Sequence, residues 1–159
     1  MKKLFLFLLF LSFTFALSQN LDLIKKEVEQ INNTKNFKIK TVTNDYFVNV
    51  KKEATDNGQE LKGYYKNNQL RKITHFVGLS VWNIVTEFFY KDNQLIFVLN
   101  SKYQSVSENG VLENPKLLYK NRYYFHNNKL IKKLGEETSE TFDFIKLSNE
   151  LKKDLKNYK

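Results

Sequence analysis

The chain has no cysteine, which removes disulfides, thiol nucleophiles, redox pairs and thiolate metal sites from its chemistry. Histidine is nearly missing as well. With only His75 and His126, a metal site would have to be built mainly from carboxylates, and those present sit where acids serve other ends. Glu53, Asp56 and Glu60 flank a turn, while Glu136, Glu137, Glu140 and Asp143 approach a helix start, where negative charge suits the helix dipole. The five glycines form no phosphate-cradling loop, and neither Ser80 nor Ser101 stands in a nucleophile elbow. No block of five like charges and no nucleic-acid module occurs, so nucleic acid is not expected as a partner. The sequence assigns no catalytic, cofactor-binding or metal-ligating residue.

No apolar run reaches the roughly 20 residues of a permanent membrane helix. The longest, Leu4 to Ala16, follows Lys2 and Lys3 and ends in Ala16-Leu17-Ser18. That pattern reads as a signal peptide over 1–18, with small residues at the third and first positions before a cut between Ser18 and Gln19. A lipid anchor is excluded, because no cysteine follows the run. The expectation is an exported protein, periplasmic or secreted, with no transmembrane segment after cleavage and a single domain over 19–159. Its formal charge is +7, from 24 basic and 17 acidic residues once Lys2 and Lys3 are removed. Lacking disulfides, such a domain must be held by packing, and aromatics at 15% supply the apolar area.

What is present in quantity is a repeated phrase. Gly63-Tyr64-Tyr65-Lys66-Asn67-Asn68-Gln69-Leu70, Phe88-Phe89-Tyr90-Lys91-Asp92-Asn93-Gln94-Leu95 and Tyr123-Tyr124-Phe125-His126-Asn127-Asn128-Lys129-Leu130 each read as a β-hairpin. Asn-Asn or Asp-Asn supplies two consecutive residues that tolerate positive φ, as a two-residue type I′ turn requires. Such turns pair Tyr65 with Leu70, Tyr90 with Leu95 and Phe125 with Leu130 on a common core face. The middle copy is apolar on both faces through Phe88, Phe89, Ile96, Phe97, Val98 and Leu99, which marks central strands covered on both sides.

Around these hairpins, Leu21, Ile24, Val28 and Ile31 fall at helical spacing behind Asn20 as N-cap. Extended segments are expected near 37–43, 46–54, 59–66, 69–77, 82–91, 94–101, 118–126 and 129–134. Asn44-Asp45 reads as a further two-residue turn on the rim shared by the three repeats, with Asn57-Gly58 on the opposite one. Residues 102–117, which contain Asn109-Gly110 and the only proline, Pro115, are too long for a hairpin loop and form either a structured excursion or a mobile loop. Phe144, Leu147, Leu151, Leu155 and Tyr158 give a closing helix, opened by Thr138 or Ser139 with Glu140. His75 reads as a packed or surface strand residue, His126 as a solvated one, and Trp82 as a core or rim aromatic.

The three hairpin phrases resemble those of small exported bacterial proteins of unknown function, in which an aromatic pair, an Asn turn and a leucine recur behind a signal peptide. That resemblance implies no activity. A likeness to MORN-type hairpins fails on the missing glycine pattern, and one to β-lactamase-inhibitor-like envelope modules is an analogy of fold alone. The fold expected is α+β: an N-terminal helix, a curved antiparallel meander of about eight strands and a C-terminal helix packed over it, with a closed up-and-down barrel as the alternative. The function expected is a non-enzymatic binding or interaction module. Its partner would be an envelope protein or an anionic envelope polymer, docked along a rim formed by Lys66, Lys91 and Lys129. A small-ligand carrier or hydrolase, with a pocket between the sheet and the 102–117 loop, is the competing class.

Overall fold

A computed structural model describes residues 20–107, 110–136 and 142–158. The expected leader and its cut lie outside them, as do Thr138, Ser139 and Glu140. Helix α1 covers 20–33, and Asn20, expected as its cap, is itself helical. Seven strands follow as an antiparallel meander in chain order: β1 (Lys38–Val42), β2 (Gln59–Lys66), β3 (Gln69–Gly78), β4 (Trp82–Lys91), β5 (Gln94–Ser107), β6 (Gly110–His126) and β7 (Lys129–Leu134). β1 and β7 are its two margins, so the sheet is open and not a closed barrel. Between β1 and β2 lie the short helix α2 (Asn44–Tyr46) and a π-helical turn, Phe47–Lys51. The closing helix is α3 (Phe144–Asn157), capped by Asp143, whose carboxylate accepts the Lys146 N–H at 3.0 Å.

The repeated phrases form the hairpins that their turns require. Asn67 and Asn68 have φ of 51° and 61°, Asp92 and Asn93 48° and 63°, Asn127 and Asn128 48° and 56°, positive at both central positions as in a type I′ turn. Tyr65 pairs with Leu70, Tyr90 with Leu95 and Phe125 with Leu130. One step further from the turn, each hairpin carries a bulge in the same place. Tyr64 faces Lys72, Phe89 faces Phe97 and Tyr124 faces Lys132, leaving Arg71, Ile96 and Ile131 as the extra residues. The repeat is thus a bulged hairpin, and its extra side chains point toward α1: Arg71 pairs with Glu27, while Ile96 and Ile131 pack with the α1 cluster.

Two cores result, one on each sheet face. On the first, α3 and the π-helical turn bring Phe47, Phe144, Leu151 and Leu155 against Val42, Leu61, Ile73, Phe88, Tyr90, Leu95, Val98, Tyr123 and Phe125. On the second, Ile24 and Ile31 of α1 cover Phe89, Phe97 and Tyr124. The alternation Phe88 in, Phe89 out, Tyr90 in thus buries consecutive aromatics against different helices. Gly63 lets α3 come close, because a Cβ there would stand 2.8 Å from Leu155 Cδ1.

Two expectations fail. The strand expected over 46–54 is the α2 and π-helical segment: Phe47 is fully buried beneath α3, and Lys52, at φ 60°, ends the turn in the left-handed region. Asn44-Asp45 is therefore not a hairpin turn, and it lies at the opposite end of the sheet, where Asn44 Oδ1 accepts the Gln59 N–H at 2.9 Å. The excursion over 102–117 is strand. Tyr103 pairs with Leu117, Gln104 with Lys116 and Val106 with Val111, so β5 and β6 run on as a two-stranded arm. Pro115 falls in the interval 112–115, which has no regular partner on β5 and where its missing N–H is tolerated.

Candidate docking surface

The three repeated turns share one rim, because connections alternate between the two ends of a meander, and they recur every second strand, roughly 9 to 10 Å apart. Lys66, Lys91 and Lys129 stand beside them, but they are not equivalent. Lys91 Nζ lies 3.2 Å from Glu27 Oε2, and the other oxygen of Glu27 takes Arg71. Lys66 Nζ donates to the Lys35 carbonyl at 3.3 Å. Of the three, only Lys129 is exposed without such a partner. A fourth rim cation, Lys152 of α3, donates to the Asn93 carbonyl at 3.0 Å and lies 4.3 Å from the Tyr90 ring centroid. Burial lowers its pKa. Much of the rim's positive charge therefore ties helices to turns.

The uncommitted charge lies elsewhere. Residues 110–134, which are β6, its turn and β7, carry six cations (Lys116, Lys120, Arg122, Lys129, Lys132 and Lys133) against one acid, Glu113. Among the described residues, no ion pair reaches either strand. The acids engaged in pairs all lie on other elements. Glu27 holds Arg71 and Lys91, Glu87 holds Lys72, Asp154 holds Lys51 at 3.2 Å, and Asp22 holds Lys25 at 2.8 Å. Strand register puts Lys120, Arg122, Lys129 and Lys132 on the α1 face of this margin, all exposed. Alternate residues of a strand are about 7 Å apart, so the four make a dense patch. Lys133, on the opposite face, lies 5.9 Å from the Tyr123 ring centroid.

Arg122 also lines a crevice of about 270 Å³ between α1 and the sheet, with Lys25, Glu29, Asn32 and Tyr124. A second cleft, again about 270 Å³, opens at the rim between the start of α1 and the β4–β5 and β6–β7 turns. Ile24, Leu95, Ile96 and Phe125 supply its apolar lining, and Asn20, Lys91 and His126 stand among its polar groups.

His75 belongs to neither. It stacks on Phe47, with centroids 5.8 Å apart, and its Nε2 meets Gln59 Oε1 at 3.2 Å. Burial pushes its pKa down to about 4, partly opposed by Asp154. A neutral, packed imidazole held in this way supports the fold. Trp82 is 41% exposed at the start of β4, with Lys102 Nζ 4.3 Å from its ring centroid.

Reading only the residues beside the turns missed Lys120, Arg122 and Lys132. A charge tally by segment would have found them, because the six-to-one excess over 110–134 has no counterpart in the first half of the chain. The loop that was to form a pocket with the sheet does not exist, since 102–117 belongs to β5 and β6. No described helix is long and apolar enough to cross a membrane. The chain matches no family model, no curated protein and no solved structure.

Proposed function

We propose that this protein is an exported, non-enzymatic interaction module whose β6–β7 margin docks an anionic polysaccharide. The observation that carries the reading is the segregation of charge. Acids engaged elsewhere neutralise the rim and the α1 contacts, while Lys120, Arg122, Lys129 and Lys132 stand together on one face without acidic partners. A polymer with repeated negative groups meets such a patch at several points, each contact weak and screened by salt. Lysines on a margin also discourage edge-to-edge pairing of sheets, and the experiment separates the two roles.

The test replaces Lys120, Arg122 and Lys132 with glutamine. It measures retention on a sulfated polysaccharide matrix and on anionic vesicles at low and physiological salt, with folding followed by circular dichroism. Three exposed contacts at up to about 1 kcal/mol each predict a loss of roughly 10- to 100-fold in polysaccharide affinity. Lys66→Gln, in contrast, should change little. Unchanged retention in a folded variant would overturn the docking reading. So would binding confined to vesicles. Aggregation of the variant without loss of retention would leave the lysines as guards of the margin.

A further inference from the structure

The N-terminal boundary of α1 draws attention to one residue's chemistry. We propose that Gln19, once it becomes the first residue of the processed chain, cyclises to pyroglutamate. The proposal rests on the cleavage that the export reading requires, between Ser18 and Gln19. In the reaction, the free α-amine attacks Cδ of the Gln19 side-chain amide. A bond forms between the α-nitrogen and Cδ, the bond from Cδ to the amide nitrogen breaks, and ammonia leaves with the proton that the amine gives up. The product is a five-membered lactam. No oxidant, reductant or co-reactant is consumed.

The surroundings favour this outcome. Asn20, the next residue, already belongs to α1 and lines the rim cleft with Lys91, His126 and Asn127. The free N–H groups of a helix's first turn, together with a nearby lysine, make a positive neighbourhood that suits an α-ammonium badly. The one acid of that first turn, Asp22, is engaged by Lys25 at 2.8 Å. Positive surroundings disfavour the protonated amine and raise the fraction of uncharged amine, which is the form that attacks. Closing the lactam then removes the terminal charge permanently, as other N-terminal modifications do.

The decisive measurement uses the full chain, leader included, produced in the organism that carries it and recovered from the exported fraction. Its intact mass and N-terminal sequence are read before and after pyroglutamyl aminopeptidase, with Gln19→Ala processed in parallel. The expected result is a chain beginning at residue 19, lighter by one ammonia than its free-amine form. It should resist sequencing until the aminopeptidase exposes Asn20-Leu21-Asp22. The Gln19→Ala chain should show full mass and sequence directly. That comparison is needed because succinimide formation at Asn57-Gly58 or Asn109-Gly110 also releases ammonia. A mass deficit that persists in Gln19→Ala would overturn the proposal. A free glutamine amine would overturn it while leaving the cleavage intact, and a different first residue or a retained leader would overturn both.

Discussion

Asn93 shows what the repeated turns ask of single residues. Its φ of 63° lies where a side chain with a Cβ is strained and glycine is not. Asn93→Gly is therefore expected to be neutral or to stabilise by up to about 1 kcal/mol, while Asn93→Val should cost about 1 to 2 kcal/mol because a β-branched residue resists that region. Chemical denaturation of the two variants checks this, and equal stabilities would contradict the type I′ geometry. His75 makes a second prediction through linkage. Its folded pKa of about 4 lies below the ordinary 6.5, so between these values the unfolded chain binds more protons than the folded one. Stability is then fully present above about pH 6.5 and falls as the pH drops toward 4, by on the order of 3 kcal/mol. The charged groups that bear on the imidazole are Asp154 and Lys51. Denaturation midpoints of wild type and His75→Gln across that interval should show a flatter dependence in the variant, and parallel curves would show that carboxylates account for the whole effect.

At the scale of elements, the two helices act on opposite faces and should do so independently. Ile31 of α1 is 2% exposed and so is Leu151 of α3, and truncating either to alanine should cost about 2 to 5 kcal/mol. Because the sheet separates them, the double variant is expected to lose the sum to within about 0.5 kcal/mol. A larger discrepancy in a double-mutant cycle would reveal coupling through the sheet. The hairpins were legible in the sequence because turn chemistry and aromatic placement agree locally: two asparagine-type residues fix the turn, and the turn fixes Tyr90 opposite Leu95. The bulges were not, since nothing in Arg71, Ile96 or Ile131 marks them as extra; only pairing across strands does. The segment from Tyr46 to Lys51 misled for a physical reason. Its aromatic and β-branched residues suit a strand, but tertiary packing overrides that preference. A helical path lets Phe47 reach the core while Tyr46 and Lys51 both meet Asp154, at 3.1 and 3.2 Å. The arm formed by β5 and β6 was hidden by Pro115 and Asn109-Gly110, which are strong punctuation in sequence yet compatible with the irregular end of a long hairpin. Of the candidate surface, the rim lysines were found and their partners were not, because Glu27 is 44 residues from Arg71 and no local pattern connects them.

Taken whole, the molecule places its committed charge between elements and its uncommitted charge along one margin. The meander that creates this arrangement also governs how the chain can assemble. Every strand pairs with its sequence neighbour, so most of the sheet closes across short turns, with little loop entropy lost at each step. Strands can then add in the order in which they are made. Helix α1 is the exception: it is synthesised first, yet its apolar side rests on Phe89, Phe97 and Tyr124, which come last but for β7 and α3. A helix this short is marginal alone in water. Throughout synthesis the first element must therefore wait, apolar side uncovered, until the middle and last hairpins arrive to shelter it.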